Sequence, residues 1–177
     1  MLFDKHRNKP VPKTRSECPC CNSVLIAKCG KVKVWHWAHE NVSDCDHWWE
    51  PVSEWHLKWQ ECAPDEYREI TIEGHRADIK LPSGEVIEIQ NSPIDEEEAD
   101  EREEFYGDMV WIFNGEKFLK NFGQPKEVLS KAGNIYINFW WKRARRDIVT
   151  RKKPVYIDFG TWILEVKEFT AYDKEYD

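Results

Sequence analysis

From Arg76 to Gln90 polar and apolar side chains alternate on both sides of a short turn. That period of two predicts a β-hairpin. The turn Leu81-Pro82-Ser83-Gly84-Glu85 has Pro82 where a type I turn favours it and Gly84 where a left-handed bulge residue is needed. A three-residue loop of this kind pairs Leu81 with Glu85. Counting outward puts Ile79 opposite Ile87 and Asp78 opposite Glu88. Ala77, Ile79, Ile87 and Ile89 then form one face, and Arg76, Asp78, Lys80, Glu88 and Gln90 the other. Pattern alone equally describes an ordinary sheet with one wet face. Directly opposed carboxylates are destabilising unless a cation lies near them. Arg76 or Lys80 can supply that charge, and so can Mg²⁺ or Mn²⁺, which favour hard oxygen ligands.

The rest of the pattern supplies further elements. Ser53 to Cys62 reads as a helix capped by Ser53. Its Trp55 and Trp59 are four apart on a buried face, and Glu54 precedes Lys58 by four. His56 reads as a partner for a polar group. Residues 67–73 alternate as a strand. Asp95 to Tyr106 reads as a strongly acidic helix, and Met109 to Phe113 as a buried strand ended by Asn114-Gly115. Gln124 to Lys131 reads as a helix closed by Gly133. Ile135–Trp141, Val155–Asp158 and Thr161–Phe169 read as strands. Residues 1–17 look like a loose lead-in.

Length admits one core and a small appended module, at 177 residues. Ten Trp, eight Phe and six Tyr make much of the apolar area aromatic. A net charge of −7 argues against indiscriminate binding to nucleic acid and leaves room for a local basic patch. The polar, basic N-terminus has no signal-peptide core, and no run has the length of a membrane span. A cytoplasmic chain without membrane contact is the expectation. Its cysteines are then thiols or metal ligands rather than disulfides.

Residues 18–49 are rich in Cys, His and Trp. Cys18 and Cys21 form a C-x-x-C pair, followed by His36, His39 and Cys45. This is the spacing of a closed structural Zn²⁺ site. Cys18, Cys21, His39 and Cys45 are the expected ligands, with His36 as the substitute. Cys20, Cys29 and Cys62 are expected to be spare thiols. Near the C-terminus, Trp140-Trp141-Lys142-Arg143 and Arg145-Arg146 concentrate positive charge beside aromatics, with Arg151-Lys152-Lys153 close behind. Such a segment suits phosphate contact and base stacking, and equally suits a solvated loop.

Several motifs occur in one order: Cys18-Pro-x-Cys21, His36-Trp-Ala-His39 with Cys45, Ser53-Glu54-Trp55-His56, Arg76-Ala-Asp78, Glu88-Ile-Gln90 with Ser92-Pro93, and Arg102-x-x-Phe105-Tyr106. The series, over roughly residues 18–115, resembles the competence protein CoiA-like family. The resemblance implies an α/β fold: a PD-(D/E)xK-type nuclease core, with a central mixed sheet flanked by helices, and an N-terminal zinc-finger-like element. Residues 1–49 would form the lead-in and zinc element, and 50–177 the core. It also implies a DNA nuclease linked to DNA uptake, processing or defence. Asp78 and Glu88 match the metal-binding acids, Glu54 the acidic residue of the first helix, and Gln90 stands where the general motif has Lys. Lys stabilises developing negative charge, whereas Gln only orients a water. Lys58 or Lys80 are substitute cations. Arg102, Tyr106, Lys142, Arg143, Arg145 and Arg146 are the candidate DNA contacts.

The expected function is therefore a metal-dependent deoxyribonuclease using Mg²⁺ or Mn²⁺, with DNA as partner. The alternatives are a DNA-binding module of the same fold without catalysis and a zinc-based protein-interaction adaptor. Protein partners and self-assembly are both open.

Overall fold

A computed structural model of the chain describes residues 1–41, 45–48, 50–123, 127–131 and 134–169. It is an α/β fold with a small three-stranded sheet and a mixed six-stranded sheet.

The small sheet comprises β1 (Arg15–Glu17), β2 (Val24–Lys28) and β3 (His36–His39), all antiparallel. Its core is Cys18, Leu25 and Trp37. So little apolar area needs a further tie, and the chain provides two. One is the thiol and imidazole cluster described below. The other is the N-terminal segment, which is pinned rather than loose. Leu2, Phe3 and Asp4 are buried. The N–H groups of Leu2 and Phe3 donate to the buried carboxylate of Glu69 at 2.6 and 3.1 Å. The expected loose lead-in is corrected on this point: an apolar dipeptide and a buried acceptor fix it to the main sheet.

The main sheet begins after α1 (Glu54–Gln60), which Ser53 caps by accepting from the His56 N–H. It contains β4 (Arg68–Ile72), β5 (His75–Lys80) and β6 (Val86–Gln90). Helix α2 (Glu96–Tyr106) and β7 (Met109–Asn114) follow. A separate hairpin is made by β8 (Glu127–Lys131) and β9 (Asn134–Asn138). The short α3 (Arg146–Val149) leads to β10 (Val155–Asp158) and β11 (Ile163–Val166). The strand order is β11-β10-β7-β6-β5-β4. The central β6–β7 and β7–β10 pairs are parallel and the rest antiparallel.

Both faces are covered. Val86 packs with Ala99 of α2 and with Trp111 and Phe113. Ile79 and Ile89 pack with Trp55 and Trp59 of α1. The two indole N–H groups of α1 donate to one oxygen of Asp158 at 2.8 and 2.9 Å. Their spacing of four brings both to the same side of the helix.

The hairpin turn is as its sequence predicts. Leu81 N–H donates to Glu85 O, Gly84 N–H to Leu81 O, and Gly84 has φ +99. The expected helix over 124–131 is instead the strand β8 from Glu127, with Gln124 and Gly133 outside the described residues. Val128 and Leu129 are followed by a partner strand, Ile135–Ile137, so pairing prevails over a weak helical pattern.

Candidate functional site

The ladder between β5 and β6 carries Ile79–Ile87 and Lys80–Val86, and goes no further. Where Asp78 would face Glu88, carboxylates replace the backbone pairing. Glu88 Oε1 accepts from the Asp78 N–H at 3.3 Å, and Asp78 Oδ2 accepts from the Ile89 N–H at 2.9 Å. Asp78 turns toward α1: its Oδ1 accepts from His56 Nε2 at 2.8 Å and Gln60 Nε2 at 3.1 Å. Glu88 turns toward α2: its Oε2 accepts from Arg102 at 2.9 Å. The expected single polar face is thus divided between two helices. Ala77 packs on the α2 side, and Ile79 on the α1 side.

Asp78, Glu88 and Gln90 nevertheless line one cleft, together with Glu50, His56 and Arg102. The space inside it, about 20 Å³, has room for one water or one ion. Glu88 and Gln90 are 3% and 5% exposed. Gln90 donates its amide to Ser92 O at 3.0 Å. Glu50 accepts from the Asn91 and Ser92 N–H groups at 2.7 and 3.2 Å. His56 Nδ1 faces Glu50 Oε1 at 3.6 Å. Two further buried donors around the cleft, Trp48 Nε1 and Arg102 Nε, have no hydrogen-bond partner among the described residues.

The electrostatics follow from burial and from these pairs. Burial opposes ionisation of Asp78, but the His56 cation and the bonds it accepts hold its carboxyl below the usual range. Burial alone would lower His56, yet Asp78 and then Glu50 push it up to about 10. Burial and then the Asp78 charge push Glu88 up to about 8, against the pull of Arg102. Metal-free, the site therefore carries an Asp78–His56 ion pair beside a Glu88 that readily holds a proton.

The other expected site residues lie elsewhere. Glu54 and Lys58 are exposed on the outer side of α1, because His56 and Gln60 take its inner side. Neither they nor Lys80 line the cleft. The acid that α1's approach brings in is Glu50, which sequence reasoning missed. Its only signal is an acidic residue just before Pro51 and the helix cap. Arg102 is 5% exposed and bonded to Glu88, Glu98 and the Trp48 carbonyl. It braces the cleft instead of facing solvent. Tyr106 is half-buried against Trp48 and Phe105.

The basic segment is largely turned onto the acidic helix. Arg146 pairs with Glu96 at 2.7 Å, Arg151 with Asp100 at 3.1 Å, and Lys152 with Asp100 at 3.1 Å. Arg145 bonds to Asp147 and to Ser92 O. Lys142 and Arg143 are exposed.

In the small sheet, the ligand atoms of Cys18, Cys21, His39 and Cys45 all lie within 4.8 Å of one another. These four side chains are drawn close enough to hold a metal ion. Cys18 Sγ and Cys45 Sγ are 3.7 Å apart, and Cys21 Sγ is 3.3 Å from His39 Nε2. Tetrahedral Zn²⁺ with bonds of about 2.3 Å to sulfur needs thiolates at that separation, so the donors fit. His36 stands outside the group, its Nδ1 at the Val34 carbonyl. Asn22, with φ +60, turns the knuckle back after Cys21.

A comparison with known families is decided by this region. Residues 4–47 match the competence protein CoiA, N-terminal domain. The CoiA match includes all four cluster ligands. No curated protein and no solved structure matches the chain. The small-sheet module meets the main sheet at several points: Leu2 and Phe3 donate to Glu69, which lines the cleft, and Asp46 reaches the start of β5. Asp46, next to the ligand Cys45, accepts from His75 Nδ1 at 3.0 Å and from the Arg76 N–H at 2.8 Å. Two residues on, Trp48 offers its carbonyl to Arg102. Among the described residues, no helix is long and apolar enough to cross a membrane.

Proposed function

We propose that the chain is a divalent-metal-dependent DNA nuclease of the PD-(D/E)xK type, stabilised by a structural zinc module and serving a competence-related role. The observation that carries this reading is the convergence of Asp78 and Glu88, from neighbouring strands, on a cleft sized for one ion or water. The order helix, three antiparallel strands, helix, parallel strand supports it. The match of residues 4–47 to the CoiA N-terminal domain supports the competence-related part.

Asp78 and Glu88 would hold Mg²⁺ or Mn²⁺, with Glu50 beside them. Their oxygens each accept hydrogen bonds already, and a carboxylate has about four lone-pair sites, so the donor set can take an ion. When bound, the metal supplies a more acidic water and offsets charge on the phosphate. His56 keeps Asp78 ionised. Arg102 orients Glu88. Gln90, anchored by Ser92, would position the water through its side-chain carbonyl oxygen.

One observation favours a second reading. Asp78 is already paired with His56 and Glu88 with Arg102, so the protein compensates both acids itself. That would suit a DNA-binding module without catalysis. Incubation of purified protein with plasmid and oligonucleotide DNA in Mg²⁺ or Mn²⁺ separates the two. The nuclease reading predicts cleavage that ceases on chelation. DNA binding with no cleavage in either metal would establish the second.

A further inference from the structure

Positive charge is unevenly placed along the chain. Residues 1–40 carry eight Lys or Arg against three Asp or Glu, whereas the remainder carries eighteen against thirty. Much of that charge in the small module is internally used. Lys5 pairs with Glu17, Lys9 with Asp65, and Arg15 with Glu40. Arg7 donates to the carbonyls of Asp65, Arg68 and Glu69. The end of β2 and the loop after it differ. Lys28, Lys31 and Lys33 are exposed there, and no acidic side chain among the described residues pairs with them. Val32, 94% exposed, sits between Lys31 and Lys33, and Trp35, 48% exposed, follows two residues after Lys33. The Trp35 indole N–H donates to Gly30 O at 3.0 Å, which fixes the ring while leaving it open to solvent. Trp35 also lines a groove of about 220 Å³ together with Lys9, Glu61, Arg68 and Leu57 of α1, the helix that holds Asp78 through His56.

A fixed, half-exposed indole among exposed ammonium groups matches the two requirements of single-stranded nucleic acid: a stacking surface for a base and cations for phosphates. An acidic protein would use the charge but not the oriented ring. An interfacial Trp keeps its N–H for the headgroup region, whereas the Trp35 N–H is taken by Gly30 O and the ring face is what remains on offer. We propose that residues 28–35 form a binding site for single-stranded nucleic acid, with a base stacked on Trp35 and phosphates against Lys28, Lys31 and Lys33. This site lies outside the cleft and stands whether or not the cleft cuts.

The test is fluorescence anisotropy of the full, zinc-loaded chain with labelled twenty-nucleotide oligothymidylate, without Mg²⁺ or Mn²⁺. Cleavage is not read, so failure here is distinct from failure of the nuclease reading. Trp35→Ala is expected to weaken binding about tenfold, and Trp35→Phe to retain most of it. Joint replacement of Lys28, Lys31 and Lys33 by Gln is expected to reduce the slope of log affinity against log salt by about 2. An oligouridylate arm distinguishes RNA from DNA as the source of that chemistry; preference for either over duplex supports the site. Wild-type affinity and slope in both variants, with zinc content intact, would overturn it. So would equal affinity for duplex, or tighter binding to phosphatidylserine vesicles.

Discussion

The N–H of Asp78 donates to the carboxylate of Glu88 at 3.3 Å, exactly where a strand pair would otherwise continue. Asp78 in turn accepts from the residue after Glu88. The hairpin therefore exchanges one rung of backbone pairing for two side-chain acceptors. A break of this kind opens the sheet just enough for a cleft between α1 and α2.

Arg102 is a brace under this account. Its side chain is 7% exposed and its partner Glu88 4%. Removing one member of a buried pair leaves the other uncompensated, which costs about 3 kcal/mol. Arg102→Ala should lower stability by about that amount in urea unfolding. Glu88→Gln should cost less, because Glu88 already tends to hold a proton when no metal is present. Equal losses would contradict the assignment.

Stability of the chain without Mg²⁺ or Mn²⁺ should fall on the alkaline side. His56 is raised from 6.5 to about 10, so its contribution is complete below pH 6.5 and is lost as pH rises through about 10. Glu88 is raised from 4.5 to about 8, so its contribution is complete below 4.5 and is lost through about 8. Asp78 acts oppositely: it is depressed, so its contribution is present above 3.8 and is lost on acidification. The urea midpoint should drop between pH 4.5 and about pH 10, first through Glu88 and then through His56, and His56→Gln should flatten the upper part of the drop. An unchanged midpoint would show that the Asp78–His56 pair is not formed.

The zinc module and the cleft should be coupled through Asp46. Its carboxylate is 4% exposed and satisfies two groups at the start of β5. Asp46→Ala leaves a buried N–H without a partner, a loss of about 2 kcal/mol. One zinc per chain is expected by elemental analysis. Replacing both Cys18 and Cys21 by Ser should remove it and unfold the small sheet, because metal binding and folding are linked there. Zinc retained in that double variant would refute the ligand set.

The basic segment should matter more for stability than for DNA. Arg151 pairs with Asp100 and approaches Glu103, its side chain wholly buried. Arg151→Ala should destabilise the chain, by the same argument as for Arg102. Neutralising Arg143, Arg145 and Arg146 together should change the salt dependence of DNA binding less than neutralising Lys28, Lys31 and Lys33. The reverse order would return the segment to the role its composition suggests.

Local chemistry was the legible part of this chain. The Pro82–Gly84 turn, the Ser53 cap, the Trp55–Trp59 face and the four cluster ligands each follow from short-range rules, and the structure has them. Three features were not legible, because each depends on distant partners. The ladder break at Asp78 needs α1 and α2 on opposite sides of the sheet. The inward turn of Glu50 depends on the strand end at Asn91. The basic segment reads as a surface until α2 is laid against it. Helix α2 itself buries Arg102 and Glu103, and a sequence pattern cannot reveal that its charges face inward. The weak helical pattern over 124–131 gave way to pairing with β9 for the same reason.

The central claim is that Asp78 and Glu88 together drive metal-dependent hydrolysis of DNA. Its most direct test is cleavage of plasmid and oligonucleotide DNA in Mg²⁺ or Mn²⁺ by wild type, Asp78→Ala and Glu88→Ala, with zinc content and unfolding midpoint measured on each. The account predicts cutting by wild type and a loss of more than about a hundredfold in both variants, with zinc retained. Cutting that persists in Asp78→Ala would contradict it.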